Sequence, residues 1–341
     1  MTTTMPPSAL LDTPGAVPAE GLDTGVALHY GDPLREQRTL TESVGWVDRS
    51  HRDILLVPGV DRLSWLHSLT SQHLSELADG RATEALVLSP HGHVEHHLVV
   101  TEIGGRTWLD VEPGTGLDLL AFLDSMRFLL RVDPQAVGAD WAMLSLVGPR
   151  TPAVLAALGV PELSPYDVAP LGTGWARAMP WPGEAAADLL VPRAELPATV
   201  GQLAAAGAAP AGSWAYEAMR VQSRRPRLRF ETDHRTIPHE VGWLDSAVHL
   251  NKGCYRGQET VARVHNLGRP PRRLVLLHLD GSQESLPATG DPISLAGRQV
   301  GFVTTAVRHH ELGPVALALI KRNTADDAEL QVGSQAASID T

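Results

Sequence analysis

The sequence predicts an α+β chain: two split β-α-β halves of ferredoxin-like type, followed by a small β-barrel. Three observations predict it. The order strand, helix, strands, helix, strand runs from residue 53 to 132, and a similar order recurs between 142 and 206. Consecutive units of that order pack as α+β halves on antiparallel sheets. Beyond Gly268-Arg269-Pro270-Pro271 the pattern turns β-rich, with strands set between Gly and Pro turns. No sequence repeat accompanies the recurrence, so it rests on element order alone.

Residues 1–25 are expected to form a flexible arm, rich in Thr, Pro and Ala over the first 20. The apolar run 53–58 ends at Pro-Gly and reads as a buried strand. Over 61–69, Leu63, Leu66 and Leu69 fall three apart, giving a helix with one apolar face. Segments 84–89 and 94–101 flank Pro90-His91-Gly92-His93, a strand–turn–strand pattern, and 106–111 follows Gly104-Gly105 as a third strand. Residues 118–130 read as a helix carrying Leu119, Phe122, Leu123 and Met126, with 129–132 running on as a strand. Then come strands at 142–147, 175–179 and 188–191, and helices at 151–158, 194–206 and 213–223. Residues 224–251 are irregular, and 273–279, 299–307 and 315–321 supply barrel strands.

Composition excludes several functions. Lys+Arg of 28 against Asp+Glu of 39 gives a net charge of −11, which repels a phosphate backbone. The single cysteine, Cys254, rules out a disulfide within the chain and an all-cysteine metal site. A lone thiol suits a reducing compartment. No apolar run reaches the ~20 residues that span a bilayer, and residues 1–20 carry no Lys or Arg. The expectation is a cytoplasmic protein without membrane or nucleic-acid partners.

The most informative stretch is Asn251-Lys252-Gly253-Cys254-Tyr255-Arg256-Gly257-Gln258-Glu259-Thr260. Residues 258–265 look helical, so Cys254 lies just before a helix N-terminus, with Lys252 and Arg256 two residues to either side. Cations and the free N–H groups of a helix start favour a thiolate over a thiol. That predicts an accessible, acidified sulfur. A loop cysteine can equally be a small buried hydrophobe.

The string Lys252 to Glu259 closely resembles the signature of the YgfZ folate-binding proteins, relatives of the glycine cleavage T-protein. Ile237-Pro238-His239-Glu240 precedes it at the family's distance, and Ser43-Val44-Gly45-Trp46-Val47-Asp48-Arg49-Ser50 is similar to its opening segment. In motif order the resemblance runs over residues 27–322. It implies a folate-binding region over 26–270 whose two α+β halves surround a central channel, and a barrel over 271–341. It also implies tetrahydrofolate binding and a role in assembling or repairing iron–sulfur enzymes, the clients, with Cys254 and Lys252 as the working residues.

A pterin presents an amide N–H beside an exocyclic amine, which matches a carboxylate in two parallel hydrogen bonds. The resemblance assigns that carboxylate to Glu240, with Glu217 as second candidate. Folate's anionic tail calls for a cation. Arg220 aligns with an arginine of the family and belongs to a group with Arg224, Arg225, Arg227 and Arg229. That group is either an anion-binding wall or a solvated face. Tyr255, Trp243 or Tyr216 could cover the ring.

The second constellation is His91-Gly92-His93-Val94-Glu95-His96-His97. Strand alternation puts His93, Glu95 and His97 on one face. They lack a defined fourth ligand or a Cys partner, so no metal is expected. Here the chain departs from the aminomethyltransferases, in which an adjacent aspartate pair occupies the positions of His96 and His97. A histidine moves protons near neutral pH but cannot supply the negative charge that steadies a cationic centre. Whether the chain is an enzyme stays open, and the alternative to an accessory protein is a folate-dependent one-carbon transferase or demethylase.

Overall fold

The structure, a computed structural model, describes residues 5–183 and 185–341. It falls into two compact units. One holds the chain up to Leu69 with His73–Ala85 and His96–Tyr216; the other holds Thr70–Gln72, Leu86–Glu95 and Glu217–Thr341. Within the second unit, Leu228, Trp243, Val248, Tyr255 and Val261 share one buried cluster with Leu319 of the barrel.

The first unit contains one of the two expected sheets and most of the other. Strands Val168–Leu171, Gly174–Met179, Ala186–Pro192, Trp141–Val147, Gly45–Asp48 and Ala209–Ala211 line up in that order. The other sheet runs Arg81–Leu88, Val94–Ile103, Arg106–Val111, Asp53–Val57, Gln135–Ala136. The halves interleave. Gly45–Asp48 lies early in the chain yet pairs antiparallel with Trp141–Val147 and parallel with Ala209–Ala211. Helices Thr151–Ala157 and Leu196–Ala205 bury Val154, Leu155, Leu196 and Leu203 against the six-stranded sheet. Where the two sheets meet, Ile54 and Trp108 pack with Met143, Trp175 and Leu190.

A buried ionic network joins the same two sheets. The fully buried guanidinium of Arg177 donates to Thr101 Oγ1 at 2.7 Å, Asp110 Oδ1 at 2.8 Å and Asp188 Oδ2 at 2.6 Å. Arg52 donates to Asp110 at 3.2 Å and to Glu112 at 2.9 Å, and Ser145 Oγ donates to Asp188 at 2.6 Å. Burial would push the Asp110 carboxyl up, but Arg177 and Arg52 hold it below the ordinary carboxylate range.

Two expectations are corrected in this unit. From residue 5 on, the arm is docked: Ser8 N donates to Gly25 O at 2.8 Å, and Leu10 enters the six-stranded sheet's core. Residues 1–4 lie outside the described residues. The helix expected over 118–130 is Gly116–Ser125, and 129–132 is no strand. Phe128 and Leu129 are 82% and 100% exposed, so an apolar run that reads as core stands in solvent.

In the second unit a closed six-stranded barrel runs Arg272–Leu279, Gly313–Lys321, Arg298–His309, Pro292–Leu295, Leu330–Val332, Gln335–Ile339. Alternation sends Val275, Leu277 and Leu279 inward, with Ile293, Val303, Ala318 and Ile320. At one edge His309 is locked in a single tautomer. Its Nδ1 accepts from the N–H groups of Glu311 and Leu312, both at 3.2 Å, leaving Nε2–H to face Gln222 Oε1 at 3.2 Å. Burial, with repulsion from His310 second, lowers its pKa to about 4.

Replacing Arg177 by Met leaves buried Asp188 without its cation and Asp110 with Arg52 alone. The expected cost is about 3–5 kcal/mol, read as a lower urea midpoint. His309 gives a pH dependence. As pH falls from ~6.5, where an unfolded imidazole titrates, toward 4, the unfolded chain binds a proton that the folded chain refuses. Stability therefore falls over that window. His309→Gln should flatten the acid limb of the stability–pH curve there and leave it unchanged above pH ~7.

Candidate functional site

The Cys254 loop is built by burial on both sides of the sulfur. Lys252 and Tyr255 are buried, at 7% and 8% exposure, while Gly253 and Cys254 between them are exposed. The Lys252 ammonium donates to Thr70 O at 2.6 Å and Gln72 O at 3.1 Å, and lies 5.1 Å from the Tyr255 ring centroid. Burial lowers its pKa to about 8 and raises that of the Tyr255 phenol to about 12.

The turn that receives Lys252 is itself fastened. Ser71 Oγ donates to Ala247 O at 2.6 Å and accepts from Leu86 N at 2.9 Å, and His249 N donates to Ser71 O at 2.9 Å. With its two neighbours pulled inward, the Gly253-Cys254 pair has to face outward. The accessible thiol expected from sequence is what the structure presents. The two cations expected beside it are committed elsewhere: Lys252 to the carbonyls, and Arg256 to Glu95 at 3.0 Å.

The histidine hairpin and the Cys254 loop form one assembly. Gly257 has φ 81° and opens the helix Gln258–Leu267. A Cβ there would lie 2.6 Å from Ser89 O and 2.8 Å from Gly92 Cα; one on Gly92 would lie 2.7 Å from Thr260 Cβ. Two glycines therefore let the hairpin turn sit on the first turn of that helix. The expected shared face of His93, Glu95 and His97 does not form. From His97 to Glu102 every residue of the strand is buried, so alternation no longer divides inside from outside. Glu95 is exposed and paired with Arg256. Buried His97 sets Nε2 2.8 Å from Glu84 Oε2, and Tyr166 OH donates to Glu84 Oε1 at 2.6 Å. Among the described residues no group of three His, Cys, Asp or Glu is arranged to hold a metal ion.

The residues expected around a folate lie deeper. Glu240, 2% exposed, accepts from Arg272 Nε at 2.8 Å on Oε1, and from Arg272 Nη2 at 2.9 Å and Ile237 N at 3.1 Å on Oε2. Both oxygens are occupied, which leaves no free edge for a pterin. Arg220, 1% exposed, spends its fork on Glu217 Oε2 at 2.8 Å, Glu231 Oε2 at 3.0 Å and Thr305 Oγ1 at 3.1 Å. It is turned inward and not toward a ligand's anionic tail. Glu217, held also by Arg227 at 3.1 Å, is only half-buried. Trp243 is fully buried in the core that takes Tyr255. Tyr216 lies under the Arg49 guanidinium, 4.1 Å from its ring centroid. The arginine group is neither wall nor face: Arg220 and Arg227 are interior, Arg224 and Arg229 exposed.

Several partners escaped the sequence reading. Glu84 alone carried a signal, a single carboxylate inside the largely apolar strand Arg81–Leu88, where a buried charge demands a partner. Arg272, Glu231, Tyr166 and Ser71 carried none.

Comparison with known proteins agrees with this architecture. The family described as the GCVT N-terminal domain matches residues 27–252, and the glycine cleavage T-protein C-terminal barrel domain matches 272–340. The chain is 28% identical over 306 residues to the aminomethyltransferase of Thermosynechococcus vestitus, covering 87% of this chain and 81% of that one. It is 25% identical over 306 residues to a protein of Arabidopsis thaliana named as a chloroplastic transferase, covering 86% and 69%. In fold it is similar to the solved glycine cleavage system aminomethyltransferase T from Bartonella henselae, with TM-score 0.87 and 20% identity over 97% and 95% of the two chains.

Lys252→Met keeps the aliphatic stem and strips the carbonyls of Thr70 and Gln72 of their donor. A loss of about 1–3 kcal/mol is expected for leaving such buried groups unmet, measured by urea unfolding. Alkylation of native Cys254, followed by mass shift with iodoacetamide, should proceed without denaturant. A thiol protected until the chain unfolds would contradict the loop geometry.

Proposed function

For a chain that belongs to the glycine cleavage T-protein family through both of its domains, we propose the role of a tetrahydrofolate-binding accessory protein of the YgfZ kind, supporting assembly or repair of iron–sulfur enzymes. The carrying observation is the exposed Cys254 held between buried Lys252 and Tyr255. A thiol presented on an anchored loop is available to a protein partner or a soft metal centre. Lys252 is a positioning residue in this reading, since its ammonium is spent on Thr70 and Gln72.

Tetrahydrofolate supplies a carrier for one-carbon units when bound. Against its pterin, Glu217 is the less buried of the two carboxylates, though its oxygens would have to exchange contacts with Arg220 and Arg227. Glu240 would have to leave Arg272 first. The histidines argue against glycine-cleavage chemistry. His97 is tied to Glu84, and an imidazole cannot lend negative charge to a cationic centre.

A second reading, a folate-dependent one-carbon transferase, is favoured by that same Tyr166–Glu84–His97 chain, a hydrogen-bonded path for a proton. Binding and turnover separate the two. Titration calorimetry with tetrahydrofolate should show binding weakened in Glu217→Gln by about 1–3 kcal/mol and little changed in Glu240→Gln. Cells lacking the chain should regain iron–sulfur enzyme activity from the parent sequence and not from Cys254→Ala. Methyl transfer from a methylated amine to tetrahydrofolate, retained in Cys254→Ala, would install the transferase reading instead.

A further inference from the structure

The barrel carries a cleft of about 990 Å³ that shares no residue with the Cys254 loop. Its volume is at the upper end of the ~300–1,000 Å³ typical of ligand sites. Leu279, Leu330 and Ile339, which also belong to the barrel core, form part of its lining. Apart from His278, whose Nε2 lies 2.9 Å from Asp340 Oδ1, the ionisable side chains around them are acidic. Asp280, Asp326, Asp327 and Glu329 line the cleft, and no Lys or Arg does. Asp326 is balanced by Arg273. Asp280 is fixed by the N–H groups of Ser282 and Ala336, both at 2.9 Å, which hold its carboxyl below the ordinary range. Asp327 and Glu329 are exposed and meet no cation among the described residues.

We propose that this cleft docks a basic, partly apolar peptide segment of a partner protein. Aliphatic stems of Lys or Arg lie well on an apolar lining while their heads reach an acidic rim. Phosphate-bearing surfaces, whether nucleic acid or anionic lipid, are repelled by the same rim. The inference stands apart from the folate and thiol reading, because it uses none of those residues.

The test uses the full chain and a fluorescent peptide of alternating Lys and Leu, followed by anisotropy, with a benzophenone-bearing version for cross-linking. Expected results are saturable binding that weakens as salt shortens the Debye length below ~8 Å, and cross-links within the lining segments 278–280, 295–296 and 326–341. A Lys–Ser peptide of equal charge should bind roughly tenfold more weakly. In the Asp327→Lys, Glu329→Lys double variant the Lys–Leu peptide should also lose roughly tenfold. Both residues are exposed and meet no cation among the described residues, so the fold should hold, as thermal unfolding would verify. The proposal is overturned if the Lys–Ser peptide binds as well, if spermine competes as strongly at equal charge, if cross-links fall elsewhere, or if charge reversal changes nothing. Self-association of the chain that blocks the peptide would assign the cleft to a second copy instead.

Discussion

A lysine ammonium taken out of water costs several kcal/mol unless its donors find acceptors, and Lys252 finds two carbonyls and the face of a tyrosine. That solution ties residue 252 to residues 70 and 72, far apart in the chain. The turn at 70–72 cannot shift independently, because Ser71 is bound to Ala247 and Leu86. The loop's shape is therefore decided by where a charge can be satisfied. Cys254 is exposed because its neighbours on both sides are not free to be.

The same economy runs through the arginines. A chain of net charge −11 would be expected to show its few cations to anionic ligands. Instead Arg177, Arg52, Arg220 and Arg227 are interior, each facing carboxylates. Buried pairs of this kind add little net stability over apolar residues, but removing one partner is severe. They favour one arrangement of strands over others, since each guanidinium fork accepts only carboxylates placed at its own angles. Interior arginines also leave the acidic side chains to dominate the barrel cleft, where Asp327 and Glu329 have no cation beside them among the described residues.

What was legible in the sequence follows the range of the interactions involved. Periodicity and turns are local, so the strand–helix order, the helix Leu196–Ala205 and the barrel strands could be read directly. The exchange of Gly45–Asp48 into the later sheet could not, because nothing local marks a strand's partner. Phe128–Leu130 misled for a related reason: apolar composition states a preference for burial, but not whether a neighbour exists to provide it. At the candidate site, the motif located the loop and its exposed thiol. It placed Lys252 and Arg256 beside the sulfur by sequence distance alone, whereas Thr70, Gln72 and Glu95 took them away. Glu240 was chosen for its position, and Arg272, whose claim on it no pattern announces, holds both its oxygens.

His97 carries its imidazole against a buried carboxylate, Glu84, on the adjacent strand. That carboxylate is capped by His97 on one oxygen and Tyr166 on the other. A carboxylate so enclosed is poorly placed to meet a cationic centre, since both oxygens already face donors. The imidazole between it and its surroundings can only relay a proton or stay in place. The Glu84 carboxylate is spent on internal hydrogen bonds, whereas the thiol of Cys254, in the other unit, is exposed.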